Sequence, residues 1–322
     1  MLWIGTDEAG YGPNLGPLVV AASAWEVPEL THQSPINLYD SLADIVVATG
    51  SPRSRSVTHL PIADSKILHN AADGVAALER GVFAMAATLG VRPTSWQELW
   101  PLLAPSSRQP AEAAPWFVDY ESPTPAKISN DEIGSWSERL TQRFTQGPRL
   151  VAMRASVVYP DEFNRRVTAA GGKGKVLSNT TLSLAFELLT QCGGGPARIS
   201  CDKHGGRNRY GELLHEFWPE DWIETREEGR EASRYRWGPP ERRVEIEFRV
   251  GGEETLPCAL ASMLAKYLRE RSMEAFNAFW IARVPGLKPT AGYPVDAIRF
   301  RQAIASTQKQ LGITDEILWR VK

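Results

Sequence analysis

The chain has 322 residues, 43% hydrophobic and 23% charged, with a formal net charge of −2. These proportions suit a globular protein with a full core and exclude a disordered or collagenous chain. Its length allows about two domains at roughly 150 residues each, and apolar runs such as Leu18 to Ala22 fall far short of the roughly 20 residues a membrane span needs.

Leu2 to Thr6 and Leu18 to Trp25 read as strands joined by a turn rich in Gly and Pro (Gly10, Gly12, Pro13, Gly16, Pro17), which predicts a hairpin-like pair. Residues 71 to 90 predict a helix ended by Gly90. From Val91 to about Asn130 the chain is rich in proline and poor in periodic apolar positions, which predicts a surface excursion or lid, followed by a helix from Asp131 to Phe144. Arg149 to Tyr159 is a β-branched, apolar strand pattern, and Pro160 opens a short helix that gives way to the loop Ala169 to Lys175. Ser178 or Asn179 can cap the next helix, with Leu182, Ala185, Phe186 and Leu189 on one face and Gly193-Gly-Gly-Pro as its stop. Ala197, Ile199 and Cys201 alternate with Arg198, Ser200 and Asp202 as a strand ending on the aspartate. Residues 203 to 242 read as charged and irregular. Val244, Ile246 and Phe248 mark a further strand, and Pro257 enters a helix carrying Leu260, Leu264, Tyr267 and Leu268. Strands interleaved with helices predict an α/β protein with a mixed sheet.

Asp7-Glu8, Asp202 and Glu253-Glu254 each stand where a predicted strand ends, the place where open α/β sheets form their ligand crevice. Adjacent strand residues point to opposite faces, so Asp7 and Glu8 share a site only if the chain turns at once. Each acid alone also fits a turn or a helix-dipole partner. Together, with only five scattered histidines, they fit a hard cation held by carboxylate oxygens, Mg²⁺ or Mn²⁺, and two-cation phosphoryl chemistry. Residues 283 to 322 carry seven Lys/Arg against three Asp/Glu and are the best candidate for a local basic face. Gly171-Gly-Lys-Gly-Lys175 is not a Walker A loop, because the spacing fails and Val176 replaces Ser/Thr.

These residues resemble a family. Gly5-Thr-Asp-Glu-Ala-Gly-Tyr-Gly-Pro-Asn-Leu-Gly-Pro-Leu-Val-Val-Ala-Ala22 is similar to the opening motif of ribonucleases HII and HIII, Asp-Glu-Ala/Val-Gly-Arg/Lys-Gly followed by Gly-Pro-Val-Val-Ala-Ala. Ala63-Asp64-Ser65-Lys66 resembles the family's Asp-Ser-Lys motif, Ile199-Ser-Cys-Asp202 its third-aspartate strand, Gly252-Glu253 to Lys266 the segment of the fourth carboxylate, and Gly292-Tyr293-Pro294 its Gly-Tyr-Pro/Gly motif. The matches keep the family's order from residue 1 to about 300. The resemblance implies a ribonuclease-H-like fold, a mixed sheet flanked by helices with a helical C-terminal part. It implies one domain over residues 1–322, with 92–148 and 203–245 as insertions. It further implies cleavage of the RNA strand of RNA–DNA hybrids with two divalent cations, leaving a 5′-phosphate and a 3′-hydroxyl. Carried over by position, Asp7, Glu8, Asp202 and Glu253 are the catalytic metal ligands, with Glu254 a rival for the last place. Gly10, Tyr11, Gly12, Ser65, Lys66 and Tyr293 contact substrate.

Three departures stand out. Tyr11 replaces the family's basic residue, the fourth ligand is Glu rather than Asp, and Asp202 is followed by an unusual basic loop, Lys203-His-Gly-Gly-Arg-Asn-Arg-Tyr. Arg207 and Arg209 of that loop suit a phosphate, or else pair with nearby glutamates. His204 is a weaker proton-relay candidate. Ser65 and Lys66 also fit a helix cap and a surface lysine, and Tyr293 a turn aromatic. A nuclease for another structured nucleic acid, or a non-catalytic binder on the same scaffold, are the alternatives. Three cysteines (Cys192, Cys201, Cys258) without close pairing, and no secretory signal pattern at Met1 to Asp7, predict a cytoplasmic protein. No membrane association and no protein partner is implied.

Overall fold

Along the first strand Leu2 and Ile4 face one core cluster and Trp3 the other, the period-two pattern of a strand covered on both sides. The computed structural model describes residues 1–28, 37–48, 58–69 and 74–321, apart from the side chain of Glu253. Its first part runs β1 (Leu2–Ala9), β2 (Leu18–Glu26), α1 (Leu38–Ser41), β3 (Val46–Val47), β4 (Leu60–Pro61), α2 (Ser65–His69), α3 (Val75–Thr88), α4 (Trp96–Leu103), α5 (Pro110–Ala113) and α6 (Asn130–Phe144). The second runs β5 (Arg149–Val158), α7 (Pro160–Ala170), α8 (Lys173–Cys192), β6 (Ala197–Asp202), α9 (Gly211–Phe217), β7 (Glu224–Glu228), β8 (Ala232–Trp237) and β9 (Val244–Arg249). A 3-10 turn at Gly252–Glu254 then leads into α10 (Leu256–Ile281), α11 (Pro294–Gln310) and α12 (Asp315–Leu318).

Seven strands form one mixed sheet in the order β5-β2-β1-β6-β9-β8-β7. The β1–β2 hairpin is antiparallel, pairing Leu2 with Glu26 and Ala9 with Val19. β1–β6 and β6–β9 are parallel, and β2–β5, β9–β8 and β8–β7 are antiparallel. α10 lies across β1 and β2 on one face, with α3 and α6 packed in the same layer, and α8 covers β1, β2 and β5 on the other. A mixed sheet flanked by helices, with a mostly helical C-terminal region, is the architecture that the family resemblance implied. No helix among the described residues is long and apolar enough to cross a membrane.

Several elements differ from the sequence expectation. The 71–90 helix is seen as Val75–Thr88, with residues 71–73 outside the described residues. The stretch after Val91 is not a surface lid. Trp96, Leu99, Trp100, Leu103, Trp116 and Phe117 are buried in the main core, and Trp96 stacks on Phe117 at 5.6 Å between ring centroids. Pro101 sits inside α4 and Pro110 begins α5, so the helices are too short to display a period. Residues 203 to 242 are not irregular either: they form α9 and two strands that extend the sheet. On β8, Ser233, Tyr235 and Trp237 are buried while Arg234 and Arg236 face out, the alternation of a sheet with one solvated face. Across that open face Arg234 pairs with Glu247 at 2.6 Å and Arg236 with Glu224 at 2.5 Å. The C-terminal segment is helical but is no continuous basic face. Arg299 pairs with Asp296, Arg301 with Asp315, and Arg320 is buried.

Candidate functional site

The site is built where β1 and β6 end. Their parallel register runs to Thr6 opposite Cys201, so Asp7 and Asp202 follow at neighbouring positions of adjacent strands. Trp3, four residues before Asp7, and Ser200, two before Asp202, are hydrogen-bonded through Trp3 Nε1 at 3.0 Å, and with Trp3 in the core beneath α10 strand alternation puts Asp7 and Asp202 on the α10 side of the sheet. The Asp7 carboxylate accepts the Glu8 N–H at 2.8 Å. The Gly252 N–H donates to Asp202 Oδ1 at 3.4 Å, and a Cβ on Gly252 would stand 3.0 Å from the Asp202 nitrogen. The turn that carries Glu253 is thereby pressed against Asp202. Glu254 is exposed and lies 3.7 Å from Arg249 across an ion pair.

Glu8 is placed differently. β1 stays regular through Ala9, with Glu8 still opposite Val20, so the chain does not turn at once. Strand alternation directs Asp7 and Glu8 to opposite faces. Among the described residues no three of His, Cys, Asp and Glu gather closely enough to hold a metal ion. The donors that share a face, Asp7 and Asp202, suit a hard cation that keeps several waters and takes one or two carboxylates from the protein, as Mg²⁺ does. The start of α10 presses on the same strand: a Cβ on Gly5 would come within 2.3 Å of the Pro257 carbonyl carbon and the Cys258 nitrogen. The two buried cysteines beside it are not ligands in waiting. Burial pushes the Cys201 thiol up to about 12 and raises that of Cys258 as well, and only a thiolate binds metal or attacks.

Around the loop that follows β1, the structure gathers several of the expected substrate contacts. Tyr11 is half-buried between two glycines: its hydroxyl would lie 3.6 Å from a Cβ on Gly174 and 3.1 Å from one on Gly205. Burial chiefly, then the charge of Glu8, raises its pKa, while Arg207 lowers it, which brings Arg207 and Glu8 to the same neighbourhood. The Lys173 ammonium sits over the Tyr11 ring, 4.9 Å from its centroid. Tyr293, at the head of α11 and 58% exposed, approaches Gly12, its ring atom 4.0 Å from where a Cβ would be. Arg209 is not brought in; its side chain is 89% exposed, 3.7 Å from Glu228 on β7. Ser65 is buried and its hydroxyl accepts from Ser262 on α10 at 2.9 Å. The Lys66 N–H donates to Asp64 Oδ1 at 3.0 Å as a cap, with the Lys66 side chain exposed.

Lys173 was missed because residues 169 to 175 read as a loop with the helix capped at Ser178 or Asn179. Instead α7 ends at Gly171, whose φ is +75°, and α8 begins at Lys173. Ser178 lies inside α8, its hydroxyl donating back to the Gly174 carbonyl at 2.9 Å and lying 3.0 Å from His204 Nδ1. His204 itself is no proton relay. It is 3% exposed, edge-on to Phe248, and its backbone N–H donates to the Tyr210 hydroxyl at 3.1 Å. Burial, helped by Arg207, lowers its pKa to about 3, so the ring is neutral at physiological pH. An unfolded histidine takes a proton near pH 6.5 and the folded one does not until about 3. The unfolded state thus binds more protons in that window, and stability falls as pH drops from about 6.5 toward 3. Urea unfolding between pH 7 and pH 4 is expected to show a shallower acid loss in His204→Gln than in the wild type; equal slopes would refute this account.

Cavities of about 440 Å³, lined by Met1, Glu26, Arg149 and Gly193 to Pro196, and 320 Å³, on the open face of β8 and β9, both lie away from the carboxylates. No protein-family model matches the sequence, and no curated protein does so. The structure is similar over its whole length to three solved ribonucleases. Ribonuclease HII from Archaeoglobus fulgidus, solved in complex with PCNA, is 15% identical, with 100% of this chain and 95% of that one covered and a TM-score of 0.40. Ribonuclease H2 from Pyrococcus horikoshii is 13% identical, with 99% and 92% covered and a TM-score of 0.43. Bst ribonuclease HIII, solved with Mn²⁺, is 14% identical, with 100% and 66% covered and a TM-score of 0.42. Likenesses of this extent assign no activity, and the fold class stands on the strand order and layers of the chain itself.

Proposed function

We propose that the protein is a metal-dependent endonuclease of the ribonuclease H type, hydrolysing the RNA strand of RNA–DNA hybrids. The observation that carries this reading is the pair Asp7 and Asp202 on adjacent parallel strand ends, with the Glu253 turn against Asp202. On this reading Asp7, Asp202 and Glu253 hold Mg²⁺ or Mn²⁺, and Glu8, directed to the other strand face, is left out of the set. Cations held there would neutralise charge on the scissile phosphate and lower the pKa of the attacking water. Water adds at phosphorus, the P–O3′ bond breaks, and a 5′-phosphate and a 3′-hydroxyl are left.

The chain's own groups bind and orient. Two neighbouring carboxylates repel a phosphodiester, so the scissile phosphate settles against them only with a cation present, while the groups around the loop after β1 hold the rest of the duplex without one. Gly10, Tyr11 and Gly12 offer backbone to the nucleic acid, and Tyr293 offers an exposed ring beside Gly12 for a sugar or base. Arg207 supplies a cation for phosphate oxygens, and Lys173, carried on the Tyr11 ring, supplies a second, where the family resemblance leads one to expect a basic residue at position 11. Lys66 remains a phosphate contact in this reading, whereas Ser65 holds α2 to α10 through Ser262.

A second reading keeps the site and changes the duplex, since Tyr11 is neutral. Cleavage of matched RNA–DNA hybrid, duplex DNA and duplex RNA with Mg²⁺ or Mn²⁺ separates the two. Hybrid is expected to be cut at least tenfold faster than either duplex, with no cleavage in EDTA. Preference for another duplex selects the second reading, and hybrid binding without turnover selects a non-catalytic binder.

A further inference from the structure

Arginine is dear to bury without a counter-charge, because its guanidinium loses water that carbonyl oxygens replace only in part. Two such arginines lie behind the loop after β1. Arg269 on α10, 4% exposed, donates to the carbonyls of Pro17 at 2.6 Å, Leu15 at 3.1 Å and Ala291 at 3.0 Å. Arg320, 1% exposed, comes from the segment after α12 and donates to the carbonyls of Gly10 and Pro13. Its guanidinium lies over the Phe163 ring at 4.7 Å. Nε and Nη1 of Arg320 have no hydrogen-bond partner, and no carboxylate among the described residues pairs with it. Burial and the like charge of Arg269 both pull its pKa well below the ordinary arginine value. A third buried arginine, Arg271, is different in kind: Glu274 neutralises it at 2.5 Å, and it holds Ser122 and Pro123.

The segment that delivers Arg320 is stitched to the same loop. The Arg320 N–H donates to the Asn14 carbonyl at 2.8 Å, the Asn14 side-chain amide donates to the Arg320 carbonyl at 3.2 Å, and Leu15 bridges to Trp319. The Gly10–Tyr11 peptide is trans, so its carbonyl and the Tyr11 N–H point in opposite directions. With the Gly10 carbonyl drawn inward to Arg320, the Tyr11 N–H is turned outward, and no backbone carbonyl among the described residues takes it.

We propose that Arg320 is a positioning residue for substrate binding: from behind the loop it holds the Tyr11 N–H outward, and its uncompensated charge makes that outer face attractive to the phosphodiester backbone. This rests on reading Gly10 to Gly12 as substrate-binding. The test measures affinity for a labelled RNA–DNA hybrid in EDTA, where no turnover occurs, beside the thermal midpoint. Arg320→Met is expected to weaken binding at least tenfold. Arg320→Lys, which keeps the charge and a donor but loses the planar guanidinium stacked over Phe163, recovers part of the loss and guards against a Met variant that fails to fold. Arg271→Met serves as the structural control, lowering the midpoint while leaving affinity within twofold. Equal effects of Arg320→Met and Arg271→Met on affinity, or none at Arg320, overturn the positioning role. A wild type that does not bind hybrid overturns the hybrid reading itself, and the positioning role with it, and is told apart because the loss is then present before any substitution.

Discussion

Asp7→Asn and Asp202→Asn are each expected to lower metal-dependent cleavage of an RNA–DNA hybrid by about 10³-fold or more, with the fold intact. Each substitution keeps size and removes one charge from a pair of neighbouring strand ends. On the proposed reading these charges hold the cations, and their loss removes several kcal/mol of transition-state stabilisation, about 1.4 kcal/mol per tenfold in rate. The same change relieves repulsion between adjacent acids, so the thermal midpoint should hold or rise slightly. Rates are read in single-turnover cleavage at fixed Mg²⁺ or Mn²⁺. Wild-type rates in both variants would sink the assignment of the site, and wild-type rates in one of them would remove that residue from it. Glu254→Gln, by contrast, breaks only an exposed pair with Arg249 and is expected to change little.

The second large effect is at Gly5. A Cβ there would lie 2.3 Å from the backbone of Pro257 and Cys258, where no flexible side chain can move aside. The first turn of α10 must shift away from β1. Overpacking of this kind costs about 3 kcal/mol or more, and Gly5→Ala is expected to lower the thermal midpoint by about 6 °C or more. Activity should fall with it, because the displaced helix start lies beside Asp7 and carries the chain just after Glu253. Gly134→Ala in α6, where nothing lies within 4 Å of the added methyl, is the matched control and should be neutral or mildly stabilising. A Gly5→Ala protein as stable as the control would mean that the helix and strand do not approach as closely as described.

Where local physics is decisive, the chain can be read directly. The β1–β2 hairpin follows from two apolar runs around a Gly/Pro turn, and the helix expected from Asp131 to Phe144 stands as α6, with Ser129, whose hydroxyl accepts the Glu132 N–H at 3.2 Å, as the cap that the structure adds. The strand ending on Asp202 shows its alternation plainly. β8 carried the same signal, with Tyr235 and Trp237 between Arg234 and Arg236, but its high charge masked it. The stretch from Val91 to about Asn130 misled for another reason. Trp96 and Trp100 sit on an eight-residue helix with Pro101 inside it, and Trp116 follows another proline, so apolar content was visible while its periodicity was not.

The residue types, their order, and the carboxylates at strand ends are properties of the chain read in one dimension, because strand period and turn chemistry act over a few neighbours. Which carboxylates share a face is not. Asp7 and Asp202 meet through the parallel register of β1 with β6, whereas Asp7 and Glu8, adjacent in sequence, are parted by strand alternation. Tyr11, Lys173 and Arg207 converge from three separate elements. Arg320 reaches Gly10 across 310 positions. Contacts of that range form only when the sheet closes between its two helical layers, since burial of apolar surface, indifferent to sequence distance, is what draws those segments together.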